Sequence, residues 1–323
     1  MSAEAPRARL ILAFLCIFVV WGTTYLAIAV LLRSLPPFTS AAIRFALAAA
    51  LLYGWLRWRG PRPLAGLPVG TVVASGVLMC GLGNGLTVYA MQGVPSGMAA
   101  LLNATIPIAI ALLDWAFFQR RRPGAWVAVG LCAAVAGVAL TVQQSLAVSG
   151  IGGIGYVGAL GLAVTAWSIG TLLQRGAVGA DRLLALGCGQ MASGAGFLCL
   201  AAIVNGEAGR IDPGAVTAAG WLALVYLAAF GSVLAQSSYL WLLARLPAEK
   251  VTVYAVANPV IALFLGALLL GEPLTLASVL GAALVLTGVA VVLFERRVFA
   301  VFAVALRGRR ISGGPDGAGP RSP

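Results

Sequence analysis

The chain has 323 residues, 61% hydrophobic and only 9% charged, with 21 Lys and Arg against 9 Asp and Glu for a net charge of +12. A soluble domain carries roughly 45–50% apolar and about 25% charged residues, so this composition suits a bilayer and not water. The absence of histidine excludes His-based zinc sites, Ser–His and Cys–His catalytic pairs and haem ligation through His, and the single lysine, Lys250, lies in Ala-Glu-Lys-Val, which excludes a Walker A loop.

A spanning helix needs about 20 mostly apolar residues. Runs of that length lie at 10–32, 38–57, 69–92, 95–118, 124–144, 151–173, 183–204, 218–243, 251–270 and 274–294. They lack the period-two alternation of barrel strands, and they predict an all-α polytopic membrane protein with ten transmembrane helices. Pro36-Pro37, Gly93-Val94, Arg120-Arg121-Arg122-Pro123, Leu246-Pro247 and Glu272-Pro273 mark short connectors. Residues 1–9 form an N-terminal tail. Arg7, Arg9 and Ala27-Ile28-Ala29 imitate a signal peptide, but the apolar run extends through Leu32, longer than a cleaved h-region. The basic C-terminal tail, 295–323, begins within a stretch (294–310) that reads either as an interfacial helix or as a frayed end of the last span. Its end, 311–323, is rich in Gly, Pro and Ser and is predicted to be disordered. Cys16, Cys80, Cys132, Cys188 and Cys199 all sit in apolar runs without CxxC spacing and read as small buried hydrophobes.

All but three of the 21 basic residues fall in the tails and the even-numbered connectors, the exceptions being Arg33, Arg44 and Arg210. Basic residues on short loops stay cytoplasmic, so both termini are expected inside. Glu207, Asp212 and Glu272 then lie on the far side. The charge is an orientation signal spread over many loops, and no nucleic-acid partner is expected.

The chain also repeats itself. Pro95 and Pro107 match Pro247 and Pro259 at an offset of 152, and Gly81 through Tyr89 match Gly231 through Tyr239 at 150. Gly130 and Gly137 match Gly281 and Gly288 at 151, while Trp21 matches Trp167 and Arg44 matches Gln190 at 146. The repeats cover 10–144 and 151–294. Five spans each is an odd number, so the second copy enters the membrane inverted. Inverted repeats are typical of secondary transporters whose substrate binds near the midplane between the halves.

Val20-Trp21-Gly22-Thr23-Thr24-Tyr25, Arg44-Phe45 and Val94-Pro95-Ser96-Gly97 with Pro107 resemble EamA-type members of the drug/metabolite transporter superfamily. Ala166-Trp167-Ser168, Phe230-Gly231-Ser232, Asn258-Pro259-Val260 and Gly271-Glu272 continue the resemblance, which covers residues 10 to 294. It implies ten spans in two EamA repeats, cytoplasmic termini and transport of small metabolites, often export of amino acids. One departure is that the fourth span ends Phe118-Gln119-Arg120-Arg121, without the Glu that follows Gly271 in the ninth.

Polar groups inside the bilayer are the candidate site residues. Arg44 lies about six residues, roughly 9 Å, into the second span; it either holds a substrate carboxylate or phosphate or snorkels to headgroups. Asp114, near the cytoplasmic end of the fourth span, either pairs with Arg120, Arg121 and Arg122 or couples protons. Gly81-Leu82-Gly83-Asn84-Gly85 predicts a thinned helix exposing Asn84, or a packing seam. Tyr89 and Gln92, with Ser237 and Tyr239 as repeat partners, follow towards the outer end. Pro107 and Pro259 predict paired mid-helix hinges or static bends, with Asn103, Tyr254 and Asn258 beside them. Trp21 and Trp167, with Thr24, Tyr25 and Gln190, complete the expected substrate site.

Together these features predict a secondary transporter of small organic metabolites, amino acids or similar compounds, exporting across the cytoplasmic membrane by alternating access without cofactor. The expected partners are the small-molecule substrate and the lipid bilayer, and a monomer suffices. Alternatives are a drug or nucleotide-sugar-like permease of the same superfamily, a channel, or an intramembrane enzyme; the last would need a catalytic cluster that the spans do not contain.

Overall fold

The computed structural model describes residues 7–118, 125–149, 153–243, 245–246, 251 and 254–293. Arg120 to Arg122, Lys250 and the tail 294–323 lie outside them, and with them the expected interfacial helix. The described residues form helices joined by turns and short connectors, without strands. We number the helices α1 (Arg7–Leu31), α2 (Pro37–Arg59), α3 (Val69–Ala90), α4 (Ser96–Phe117), α5 (Ala125–Ser149), α6 (Gly153–Leu173), α7 (Leu183–Val204), α8 (Ala218–Leu242), α9 (Tyr254–Leu270) and α10 (Leu276–Leu293). Eight of them are long and apolar enough to cross a membrane, while Ala125–Thr141 within α5 and Tyr254–Leu270 are shorter apolar stretches.

Local chemistry sets the ends. Pro37 occupies the first turn of α2, where its missing N–H costs nothing, and Pro95 precedes α4 in the same way. Thr217 caps α8 by accepting from Gly220 N at 3.1 Å. Gly271, at φ +68°, turns the chain out of α9 through a left-handed conformation that other residues resist. Large apolar side chains such as Leu222, Phe264 and Leu268 stand on the outer surface, 61–70% exposed, where lipid and not water is the compatible solvent.

Packing follows the sequence repeat. The main helix pairs are α5 with α10, α2 with α7, α3 with α7, α4 with α9, α1 with α8 and α9, and α6 with α3 and α4, with α2 also against α8. Advancing each helix by five carries the α1 pairs onto the α6 pairs, exchanges α3–α7 with α8–α2, and returns α5–α10, α2–α7 and α4–α9 to themselves. One apolar core gathers around Phe45, Leu198 and Leu227 from α2, α7 and α8. A second gathers around Leu101, Ile108, Val285 and Val289 from α4 and α10, with Ala134 of α5 and Ala255 of α9. The α5–α10 contact is glycine-lined: a Cβ on Gly137 would stand 2.5 Å from Gly281 O, and one on Gly288 would meet Gly130 O. Only residues without a side chain let two backbones come so close.

The glycine-rich segment of α3 packs closely on α7, since a Cβ on Gly81 would meet Phe197 and one on Gly85 would meet Leu198, and its turn is wider than that of an α-helix. Val77–Asn84 is a π-helix, and so is Leu227–Leu234 of α8, at the repeat offset of 150. The widened turn occurs in both halves, which fits the frequent placement of π-turns at functional sites. The two prolines differ. Pro259 sits inside continuous α9, whereas α4 breaks at Ala104-Thr105 and resumes at Ile106, placing Pro107 in a first turn. A proline is tolerated there, so it follows a break instead of bending a helix.

Two carboxylates close the end of the bundle that carries the acidic connectors. Glu207 is 1% exposed and accepts from Phe38 N (3.1 Å), Thr39 N (2.7 Å) and Thr39 Oγ1 (2.7 Å) at the start of α2. Glu272 accepts from Ser96 N (2.7 Å) and Gly97 N (3.3 Å) at the start of α4. Both exploit the free N–H groups and positive dipole of a helix N-terminus. At the opposite end Arg182 donates to Pro63 O and Ala65 O, and Arg175 pairs with Asp114 at 3.0 Å. The partner observed for Asp114 is therefore Arg175, on the connector after α6.

Candidate functional site: a central cavity between the helix layers

A cavity of about 130 Å³ lies among α1, α2, α3, α4, α6, α7, α8 and α9. α5 and α10 stay behind it. Both π-helices reach its wall, α3 through Met79, Cys80, Gly83 and Asn84, α8 through Gly231 and Ser232. A side chain donates to one carbonyl in each: Asn84 Nδ2 to Met79 O (3.3 Å) and Trp21 Nε1 to Gly231 O (3.0 Å). Trp167, the repeat counterpart of Trp21, lines the cavity against Gly83, and its indole N–H has no hydrogen bond among the described residues.

Arg44 is the only charged residue on the described wall. It is 6% exposed, its Nε donates to Ser232 Oγ at 2.9 Å, and its guanidinium lies 4.9 Å from the Phe45 ring centroid. Among the described residues no carboxylate pairs with it and no hydrogen bond engages its terminal nitrogens. A guanidinium so placed presents two parallel donors to a carboxylate or phosphate.

Trp21, Thr24, Tyr25, Arg44, Asn84, Asn103, Trp167, Gln190, Tyr254, Asn258 and Pro259 all lie on the cavity wall. Trp21 and Tyr254 meet edge to face at 4.8 Å. Asn103 Nδ2 donates to Thr87 Oγ1 (3.2 Å), tying broken α4 to α3. With its amide turned so that nitrogen meets the two carbonyls, Asn258 donates to Phe18 O and Tyr254 O (both 3.2 Å), and Pro259 has no N–H to return to the carbonyl of Ala255, another wall residue.

Five other candidates stand elsewhere. Tyr89 stacks on Phe38 (5.7 Å, 6°) and leans on Tyr156 near the acidic connectors. Tyr239 packs behind the wall against Trp21 and Tyr254. Ser237, Pro107 and Asp114 are not wall residues. Conversely, the wall includes Thr87, Cys80, Ser232 and Gln236, which the sequence did not single out as site residues. Thr87 is three residues after Asn84 and Gln236 four after Ser232, the spacing of one helix face. Ser237 is one residue out of that register.

A match to the EamA-like transporter family covers residues 8–143 and 153–294, nearly all of the chain in two copies. The chain belongs to the EamA-like transporter family. It is 31% identical over 265 residues to an Escherichia coli (strain K12) protein named uncharacterized inner membrane transporter YedA, covering 81% of this chain and 83% of that protein. A second relative from that strain, named probable amino-acid metabolite efflux pump, is 27% identical over 299 residues, 88% of this chain and 94% of the relative. A solved crystal structure superposes with a TM-score of 0.64 at 21% identity, over 91% of this chain and 99% of that one, a likeness of fold. The protein is thus a multi-pass membrane transporter, and its family implies a small-molecule substrate and a lipid environment.

Proposed function

We propose that this EamA-like transporter exports small carboxylate-bearing metabolites, amino acids or similar compounds, across the cytoplasmic membrane by alternating access. The observation that carries the proposal is Arg44: a buried guanidinium anchored by Ser232 through Nε, with its terminal nitrogens unpartnered among the described residues, in a cavity without a carboxylate on its described wall. A buried cation without a counter-ion is costly, and an anionic substrate group relieves that cost. Aromatic and apolar residues make up most of the remaining wall, which suits an amphipathic solute.

Alternating access is supported by the five-helix periodicity of the packing and by the paired π-helices. Two five-span halves of opposite orientation, 10–144 and 151–294, can exchange conformations and expose one site to each side in turn. Export is favoured by the efflux activity in the name of the relative from E. coli, and cytoplasmic termini by the basic connectors. Asp114 lies off the cavity and pairs with Arg175; we assign it to holding the connector after α6 against α4, and transport is expected to proceed without a pH gradient.

The test is counterflow in proteoliposomes with a panel of amino acids, with and without a pH gradient. Arg44→Ala is expected to lower transport of the accepted substrate at least about tenfold, the scale of one charge-assisted hydrogen bond. Arg44→Lys is expected not to restore it, because an ammonium lacks the planar fork. Wild-type rates in a folded Arg44→Ala protein would refute the proposal.

A further inference from the structure

Gln190 of α7 occupies the repeat position of Arg44 and lines the same cavity, 2% exposed. Its amide is held by a chain of hydrogen bonds that fixes which end faces where. Ser75 Oγ gives its single proton to Thr71 O (2.6 Å), with a longer contact to Val72 O, so towards Gln190 it can only accept. Gln190 Nε2 donates one proton to Ser75 Oγ (2.8 Å) and the other to Gln174 Oε1 (2.7 Å), while Gln174 Nε2 turns to Met79 Sδ (3.4 Å). Flipping the Gln190 amide alone would set its oxygen against two acceptors, and flipping Gln174 with it would give up the Ser75–Thr71 bond and the contact with Met79. Both of its protons are therefore used, and Oε1 has no donor among the described residues.

The cavity thus has a donor pole at Arg44 and an acceptor pole at Gln190, contributed by equivalent positions of the packed pair α2 and α7. We propose that the substrate is a zwitterion whose carboxylate rests on Arg44 and whose ammonium donates to Gln190 Oε1, with Ser75 and Gln174 as positioning residues that keep the oxygen turned to the cavity. This rests on the carboxylate role of Arg44 argued above. A substrate analogue without the ammonium leaves the Gln190 carbonyl desolvated and unpaired, and a site built to pair a polar group discriminates strongly against an analogue that lacks it.

Matched pairs differing only in the amino group test the assignment: L-leucine against 4-methylpentanoate, and L-phenylalanine against 3-phenylpropanoate, bound to the purified full-length protein in lipid nanodiscs. The wild type is expected to favour the amino member of an accepted pair by about tenfold or more, a factor that corresponds to one hydrogen bond to a charged group. Gln190→Met should erase the preference while retaining affinity for the deaminated acid. Gln174→Leu, which leaves Gln190 in place but frees its amide to rotate, should reduce the preference and provides the reading should Gln190→Met not fold. Arg44→Ala should lose both members of the pair. Equal wild-type affinity for the two members, or an equal loss of both in Gln190→Met, overturns the assignment of Gln190 and leaves that of Arg44 standing. Failure of the wild type to bind any of the four acids overturns both.

Discussion

Glu207 shows how much a single side chain can do at the end of a helix. Its two oxygens collect three hydrogen bonds from the first turn of α2 while being almost wholly buried. Glu207→Gln preserves shape but replaces one acceptor oxygen by an N–H₂ facing other donors, so a loss of about 1–3 kcal/mol is expected, the cost of an unsatisfied buried polar group. Thermal unfolding in detergent would read it; an unchanged midpoint would mean that water or the connector replaces the cap. From sequence, Glu207 reads only as a far-side acid, because its partners lie 168 and 169 residues away and no local pattern connects them. Arg44 is legible for the opposite reason: a charge inside an apolar run is conspicuous wherever its partners are. Gln236 was missed by one residue, since repeat alignment located the segment but a helix turns about 100° per residue and only the structure sets the phase.

The helices themselves were readable from length and apolarity, and their observed ends stay within a few residues of the expected ones apart from α5, which continues to Ser149. Two features within them were not readable. A π-turn leaves no signature in hydrophobic periodicity over eight residues, and the glycines that accompany it suit a packing seam equally well. The unlike behaviour of Pro107 and Pro259 depends on whether the preceding turn breaks, as it does at Ala104-Thr105 beside the contact of Asn103 with Thr87 on α3. Where two helices meet through glycine the sequence is again informative, because Gly130, Gly137, Gly281 and Gly288 repeat together. Gly288→Ala would put a methyl group against Gly130 O and Ala134 N, and overpacking of this kind is expected to cost about 1–3 kcal/mol. Gly158→Ala on α6, where nothing lies within 4 Å, is the matched control. Similar unfolding midpoints for the two variants would show that α5 and α10 can separate freely.

At the level of the molecule, the charge pattern and the repeat carried the most information, and the EamA-like family likewise matches the chain in two copies, 8–143 and 153–294. Orientation follows from the same charges. Alkaline phosphatase, which is active only outside the cytoplasm, is expected to be active when fused after Ile211 and inactive after Leu67; the reverse pattern would invert the assigned topology. The sequence symmetry is not matched by symmetry of bonding. Trp21 donates to Gly231 O, yet Trp167, which the repeat pairs with the carbonyl of Gly81, donates to nothing among the described residues. Of two equivalent bonds, one is made. Alternating access, as proposed, would take such a chain to a twin state, the same set of contacts with the roles of the halves exchanged, and the residues that differ between the copies would separate the two in energy. Arg44 facing Gln190, and Glu272 where the first copy has Arg120, are among those residues. Under the alternating access proposed above, the resting preference for one side would be set by the places where the two copies disagree.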